Sequence, residues 1–278
     1  MNEKLITLTD GQRIMPTILL TNDDGIMSLG LRVLMESLGG LGDIVAVAPD
    51  SPRSATGMSL TFHKPLRMSE VTVNGVAAHA ISGSPADCVS LGISKVLSGK
   101  RPNIVVSGIN MGDNVTAQTV FASGTVAAAI QAAIIGIPSV AFSMEVPEGE
   151  HSTEEQEPRM ETAAARAFPI ADLVVRRGLP KGVDFLNVNF PYDVRADTPF
   201  KVTRLGTQKY EDYVVERVDP RGRPYYWQWG NSKDPKEFEP GTDAYAVFVE
   251  RAISITPLQI DPSRGVSQKA MGDYLGNW

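Results

Sequence analysis

The chain has 278 residues, 42% of them hydrophobic and 21% charged, and a formal net charge of -6, so it is long enough to bury a sizeable core. Mild acidity without a clustered basic patch does not suit a surface built to neutralise phosphate backbones, which excludes duplex nucleic acid as an expected partner. A single cysteine, Cys88, rules out an internal disulfide, no Cys/His cluster has zinc-site spacing, no signal pattern opens the sequence, and no apolar run reaches the roughly 18 residues of a membrane span; the expected setting is therefore the cytoplasm, with no membrane partner.

Past a polar leader over residues 1–15, Thr17 to Thr21 is a short apolar run ending at Asn22-Asp23-Asp24-Gly25. Ser28 to Leu38 then has helical spacing until Gly39 and Gly40 stop it, and Ile44 to Ala48 is a second apolar run closed by Pro49 and Asp50. Strand, helix, strand in this rhythm is the signature of a mostly parallel sheet. Val71 to Ile81 alternates about Asn74-Gly75, the strongest short-range hairpin signal. A helix is predicted over about Pro85 to Leu97, a buried strand over Ile104 to Val106 running into Ser-Gly-Ile-Asn, a helix from Ser123 through Ile135, and a strand over Ser139 to Phe142. The acidic stretch Glu145 to Glu157 reads as an exposed loop.

Glu161 to Arg177 reads as a helix with a kink at Pro169, and Phe185 to Val188 as a strand. From Lys201 to Gly230, Tyr and Trp gather among turn residues, the pattern of an extended hairpin that either covers an edge of the core or is exchanged between subunits. Ala252 to Thr256 is the last predicted strand, followed by a polar tail. The expected fold is α/β, a Rossmann-like, mostly parallel sheet flanked by helices over residues 1–200. Residues 201–278 are expected to form a projecting β-hairpin arm and a C-terminal oligomerisation segment, partly returning to the core.

In an open α/β sheet, ligands sit beyond the carboxyl ends of the strands. The first strand ends at Asn22, Asp23, Asp24 and Gly25, and the second leads through Pro49 and Asp50 to Arg53, Ser54, Ala55, Thr56 and Gly57. The strand at Ile104 leads through Ser107, Gly108, Ile109 and Asn110 to Gly112 and Asn114, so all three ends offer oxygen donors. Adjacent carboxylates with a hydroxyl and an amide oxygen make a hard-oxygen site, suited to Mg²⁺, Mn²⁺ or Ca²⁺ rather than to a thiolate-seeking ion. Asp-Asp-Gly alone is an ordinary turn former; it is the company at neighbouring strand ends that gives it weight. Ser123-Gly124-Thr125 opens a helix, where free N–H groups attract anions, although Ser123 is equally a good N-cap without any ligand.

The segments TNDDGI (Thr21 to Ile26), VAPDSPRSATGMS (Val47 to Ser59), GSPADCV (Gly83 to Val89), SGIN (Ser107 to Asn110) and SGTV (Ser123 to Val126), together with SITPL (Ser254 to Leu258), resemble in the same order those of the SurE family of survival-protein 5'/3'-nucleotidases. The resemblance implies a metal-dependent phosphomonoesterase acting on nucleoside monophosphates, some members also taking short polyphosphate or oligonucleotide ends, with non-nucleotide phosphate esters as the alternative substrates, and assembled as homodimers or homotetramers. It implies Asp23, Asp24, Ser54 and Asn110 as ligands of one divalent metal ion. It also implies that Asn114, Ser123, Gly124 and Thr125 line the phosphate pocket. Met58, the leader and the acidic stretch depart from the family pattern without touching these positions.

Two other readings compete. A NAD-binding oxidoreductase needs a G-x-G-x-x-G turn where this chain has carboxylates. A Mg²⁺-binding receiver-like signalling domain also places two acidic residues after its first strand, but it needs a phospho-accepting Asp where this chain has Ser-Gly-Ile-Asn. No general acid is assigned; of His63, His79 and His151, only His63 lies near the Ser54 loop in sequence.

Overall fold

The computed structural model describes residues 6–7, 13–147 and 153–276. Most of the leader, the middle of the acidic stretch and His151 lie outside the described residues. A short ladder pairs β1 (Ile6–Thr7) with β2 (Arg13–Ile14). The main sheet has nine strands: β3 (Thr17–Thr21), β4 (Asp43–Pro49), β5 (Met68–Val73), β6 (Val76–Ile81), β7 (Ile104–Met111), β8 (Ser139–Met144), β9 (Phe185–Phe190), β10 (Phe200–Val202) and β13 (Ile253–Leu258). Their order is β10-β13-β9-β8-β7-β3-β4-β6-β5.

The block from β9 to β6 is parallel throughout. Within it the chain runs outward from β3 to β4 and β6, then crosses to the other side of β3 to lay down β7, β8 and β9. The gap between the ends of β3 and β7 is therefore the topological switch point, where an open parallel sheet leaves a crevice. Sequence and structure agree on the α/β class and the mostly parallel sheet.

Strand alternation divides the core. Ile18 and Leu20 face one layer, in which α1 (Leu29–Leu38) packs against α5 (Thr153–Arg177). Leu19 faces the other, with Val47, Val105, Val89 of α2 (Pro85–Leu91) and Ala128 of α4 (Gly124–Ile134). Each such fully buried Ile or Leu contributes about 1.5–3 kcal/mol. Ser28 caps α1 by accepting from the Leu31 N–H at 3.3 Å. Ser84 and Asp87 make a reciprocal capping box on α2, the arrangement that satisfies two orphan donors at once. Asn74 and Gly75 both take positive φ, 48° and 75°, as the two-residue turn between β5 and β6 demands.

Several expectations are corrected. The strand at Ile104 does not stop at Val106 but runs through Met111, with a register shift between Ser107 and Asn110, because the buried Ile109 continues the apolar face. A separate helix, α3 (Thr116–Ala122), precedes α4 and meets it at a bend of 75°. The acidic stretch is not all loop: α5 begins at Thr153, Gln156 is buried, and Glu157 pairs with Arg32 at 2.7 Å. Opposite charge on the neighbouring helix gives the acidic residue a place that composition does not show. The predicted polar tail carries α7 (Gln268–Leu275), capped by Ser267, and α6 (Asp243–Phe248) precedes β13.

The arm is β11 (Tyr210–Val218) paired with β12 (Pro224–Ser232) in an antiparallel ribbon. The flanking strands β10 and β13 belong to the main sheet. Among the described residues no single helix is long and apolar enough to cross a membrane.

Candidate active site at the switch point

Residues Asp23, Asp24, Ser54, Asn110, Asn114 and Ser123 line one cleft of about 520 Å³ at the carboxyl ends of β3 and β7. Six of the eight candidate residues thus converge. The other two, Gly124 and Thr125, lie directly behind: Thr125 Oγ1 donates to Asp23 Oδ1, and Gly124 packs on the same side chain. A Cβ added to Gly124 would stand 2.8 Å from Asp23 Cβ, so only glycine lets α4 approach the carboxylate this closely.

The loop carrying Ser54 is tied to both sides of the crevice. Arg53 N–H donates to the Asp23 carbonyl at 2.7 Å, and Gly57 N–H donates to the Ala122 carbonyl at 2.8 Å. Asn22 shapes the turn beneath: its amide oxygen accepts from Gly25 N–H at 3.2 Å and its Nδ2 donates to the Gly25 carbonyl at 3.1 Å. The same local hydrogen bonding that makes Asx residues turn formers here fixes the direction of the two following carboxylates.

Burial pushes the Asp23 carboxyl upward, against the pull of the Thr125 hydroxyl and of the Thr125 and Gly124 N–H groups. Asp24 is pushed up to about 7, first by burial and then by the charge of Asp23, with the Met111 N–H opposing. Two carboxylates that each resist ionisation beside the other are what a cation relieves. Asn110 Nδ2 donates to the Gly112 carbonyl at 2.6 Å, which leaves its amide oxygen as the donor atom for a ligand. The candidate set of two carboxylate, one hydroxyl and one amide oxygen fits a hard divalent cation. No group of three His, Cys, Asp or Glu residues converges on a metal position among the described residues, so the neutral oxygens of Ser54 and Asn110 are essential to that fit.

Asn114 is held from every side. Its N–H donates to Asn189 Oδ1 at 2.7 Å, its Nδ2 donates to Ser143 Oγ at 2.7 Å, and its carbonyl accepts from Asn187 Nδ2 at 2.8 Å. Buried amides hydrogen-bonded in this way fix one geometry, although Asn187 Oδ1 has no partner of its own among the described residues. Sequence reasoning passed over Asn187 and Asn189, yet their i, i+2 placement in the otherwise apolar FLNVNF strand puts both amides on one face, a readable signal.

It also passed over other residues of the cleft wall. Asp113, Gln118 and Thr119 line it together with Tyr210, Asp212 and Gln228 of the arm. Lys209 Nζ pairs with Asp113 Oδ2 at 2.6 Å, both side chains being almost fully buried. No short-range pattern links positions so far apart. His63 and His79 lie outside the cleft lining.

The family model for survival protein SurE matches residues 18–212. Among curated relatives, a 5'-nucleotidase SurE of Methanothrix thermoacetophila is 44% identical over 267 residues, covering 94% of this chain and 99% of the relative. A 5'-nucleotidase SurE of Thermococcus gammatolerans is 44% identical over 259 residues, covering 93% and 95%. The crystal structure of the SurE protein from Aquifex aeolicus superposes with a TM-score of 0.78 at 38% identity, covering 94% of this chain and 99% of that one. The chain belongs to the SurE family.

Proposed function

We propose that this chain is a metal-dependent phosphomonoesterase that hydrolyses nucleoside 5'- and 3'-monophosphates to nucleoside and phosphate. Its relatives' name, 5'-nucleotidase, supports the hydrolase class. One observation carries the mechanism: the adjacent Asp23 and Asp24 carboxylates stand at the switch point in one cleft with Ser54, Asn110, Asn114 and Ser123. Asp23, Asp24, Ser54 and Asn110 hold one divalent cation, Mg²⁺ or Mn²⁺. When bound, such an ion supplies Lewis acidity toward a phosphoryl oxygen and lowers the pKa of water.

The chain's own residues do the rest. Thr125 and the start of α4 aim the Asp23 carboxyl and favour its ionised form against burial. Asn114, fixed by Asn189 and Ser143, and Ser123 orient the phosphate, with Gly124 and Thr125 behind them. Arg53 closes the Ser54 loop onto the Asp23 backbone. The exposed aromatic side of the arm, with Trp227 and Trp229 more than half exposed, supports assembly with a second copy as a homodimer or homotetramer, in a cytoplasmic setting.

The test is phosphate release from nucleoside monophosphates, with and without chelator and with Mg²⁺ or Mn²⁺ restored. Activity should disappear in chelator and return with the ion, and Asp24→Asn should be inactive at saturating metal. Full turnover in excess EDTA would overturn the metal reading.

A further inference from the structure

The arm is a two-sided ribbon. Alternation along β11 and β12 puts Tyr213, Val215, Arg217, Trp227 and Trp229 around a groove on one side, and Tyr210, Asp212 and Gln228 on the other, where they line the switch-point cleft. The ladder register, with Tyr213 opposite Trp229 and Val215 opposite Trp227, requires that division. An aromatic ribbon made only for packing has no need of a polar inner face.

That inner face is also fixed in place. Gln118 Nε2 donates to Asp212 Oδ2 at 3.0 Å and to the Tyr210 carbonyl at 3.3 Å, while Gln118 Oε1 accepts from the N–H groups of Lys209 at 3.0 Å and Tyr210 at 2.9 Å. The amide of Gln118 is used in full, and one oxygen of Asp212 remains for a partner outside the chain. Opposite Asp212 in the ladder stands Gly230, where a Cβ would lie 3.2 Å from Asp212 Oδ1; the glycine keeps the space beside that oxygen open.

We propose that the inner face of the arm is the leaving-group wall of the cleft, with Asp212 accepting a hydrogen bond from a ribose hydroxyl of the substrate and so selecting ribonucleotides. The inference rests on the phosphomonoesterase reading. The cleft already holds Asp23, Asp24 and Asp113, and a further carboxylate repels phosphate. Asp212 therefore faces the uncharged part of the ester, where a ribose hydroxyl can donate a short, charge-assisted hydrogen bond to a carboxylate oxygen. Gln228, beside it on the same face, offers both a donor and an acceptor to the rest of the nucleoside.

The experiment compares kcat/KM for a ribonucleoside 5'-monophosphate, its 2',3'-dideoxy counterpart and p-nitrophenyl phosphate, with Mn²⁺ present, in wild type, Asp212→Ala and Asp212→Asn. Wild type should prefer the ribonucleotide, and Asp212→Ala should lower the ribo-to-dideoxy ratio by about tenfold or more, as for loss of a hydrogen bond to a charged group. Asp212→Asn, which still accepts, should give an intermediate ratio. An unchanged ratio in Asp212→Ala, or an equal loss on all three esters, overturns the assignment. A wild type that turns over p-nitrophenyl phosphate without preferring ribose also overturns it, alone; a wild type inactive on all three overturns the phosphomonoesterase reading with it.

Discussion

Thr125 Oγ1 donates a hydrogen bond to Asp23 Oδ1 across 102 residues of sequence. It joins the first turn of α4 to the end of β3, and with the α4 N–H groups it opposes the upward push that burial gives the Asp23 carboxyl. Thr125→Val keeps the shape and removes the donor. Partners of this kind behind a metal ligand are worth about 10- to 100-fold in affinity, so Mn²⁺ binding by calorimetry should weaken by that factor, and Thr125→Ser should restore it.

Metal-free stability should fall as pH rises. Without a cation, Asp24 keeps its proton to about 7 in the folded chain and loses it near 3.8 when unfolded. Between those values the folded state binds more protons, so stability is full below the lower value and is lost as pH climbs through the upper one. Thermal melts in EDTA should show this decline, Asp24→Asn should flatten it, and the gain in Tm from Mn²⁺ should grow across the same window. A metal-induced gain independent of pH would contradict the assignment of Asp24 as a ligand.

Gly124→Ala places a Cβ 2.8 Å from Asp23 Cβ and 3.1 Å from Asp23 Oδ2. One side chain or the helix must move, and such overpacking costs about 1–3 kcal/mol. Activity should drop by at least about tenfold, because misplacing a catalytic group by an ångström is costly, while circular dichroism remains that of the native fold.

Lys209→Met leaves Asp113 buried and unpaired. Removing one partner of a buried ion pair costs about 3–5 kcal/mol, whereas replacing both is often close to neutral. Urea denaturation should therefore find Lys209→Met much less stable than wild type, and the double variant Lys209→Met, Asp113→Asn more stable than Lys209→Met alone.

The parallel strands were legible because their apolar runs are short, continuous and closed by Pro, Gly or Asp, and the Asn74-Gly75 turn announced its hairpin. Asp23, Asp24, Ser54 and Asn110 could be grouped because strand ends in such a sheet share one edge. The helix α3 was not legible: it is interrupted from α4 by Ser123, whose cap on Val126 reads in sequence as the start of a single helix. Nor was the role of Gln118, which depends on where the hairpin returns 92 residues later. The start of α5 was hidden by its charge, since Glu157 finds its partner Arg32 125 residues away.

The β3–β7 junction has a kinetic consequence. Asp23 and Asp24 belong to the first half of the sheet and Asn110 to the second, and the halves meet through the register Ile18↔Ile104 to Thr21↔Ser107. Neither half alone carries all four proposed ligands. An ion seated across this seam would act as a clasp, so amides along β3 and β7 should exchange with solvent more slowly in the loaded protein than in the chelated one, while those of the distant edge strand β5 remain unaffected.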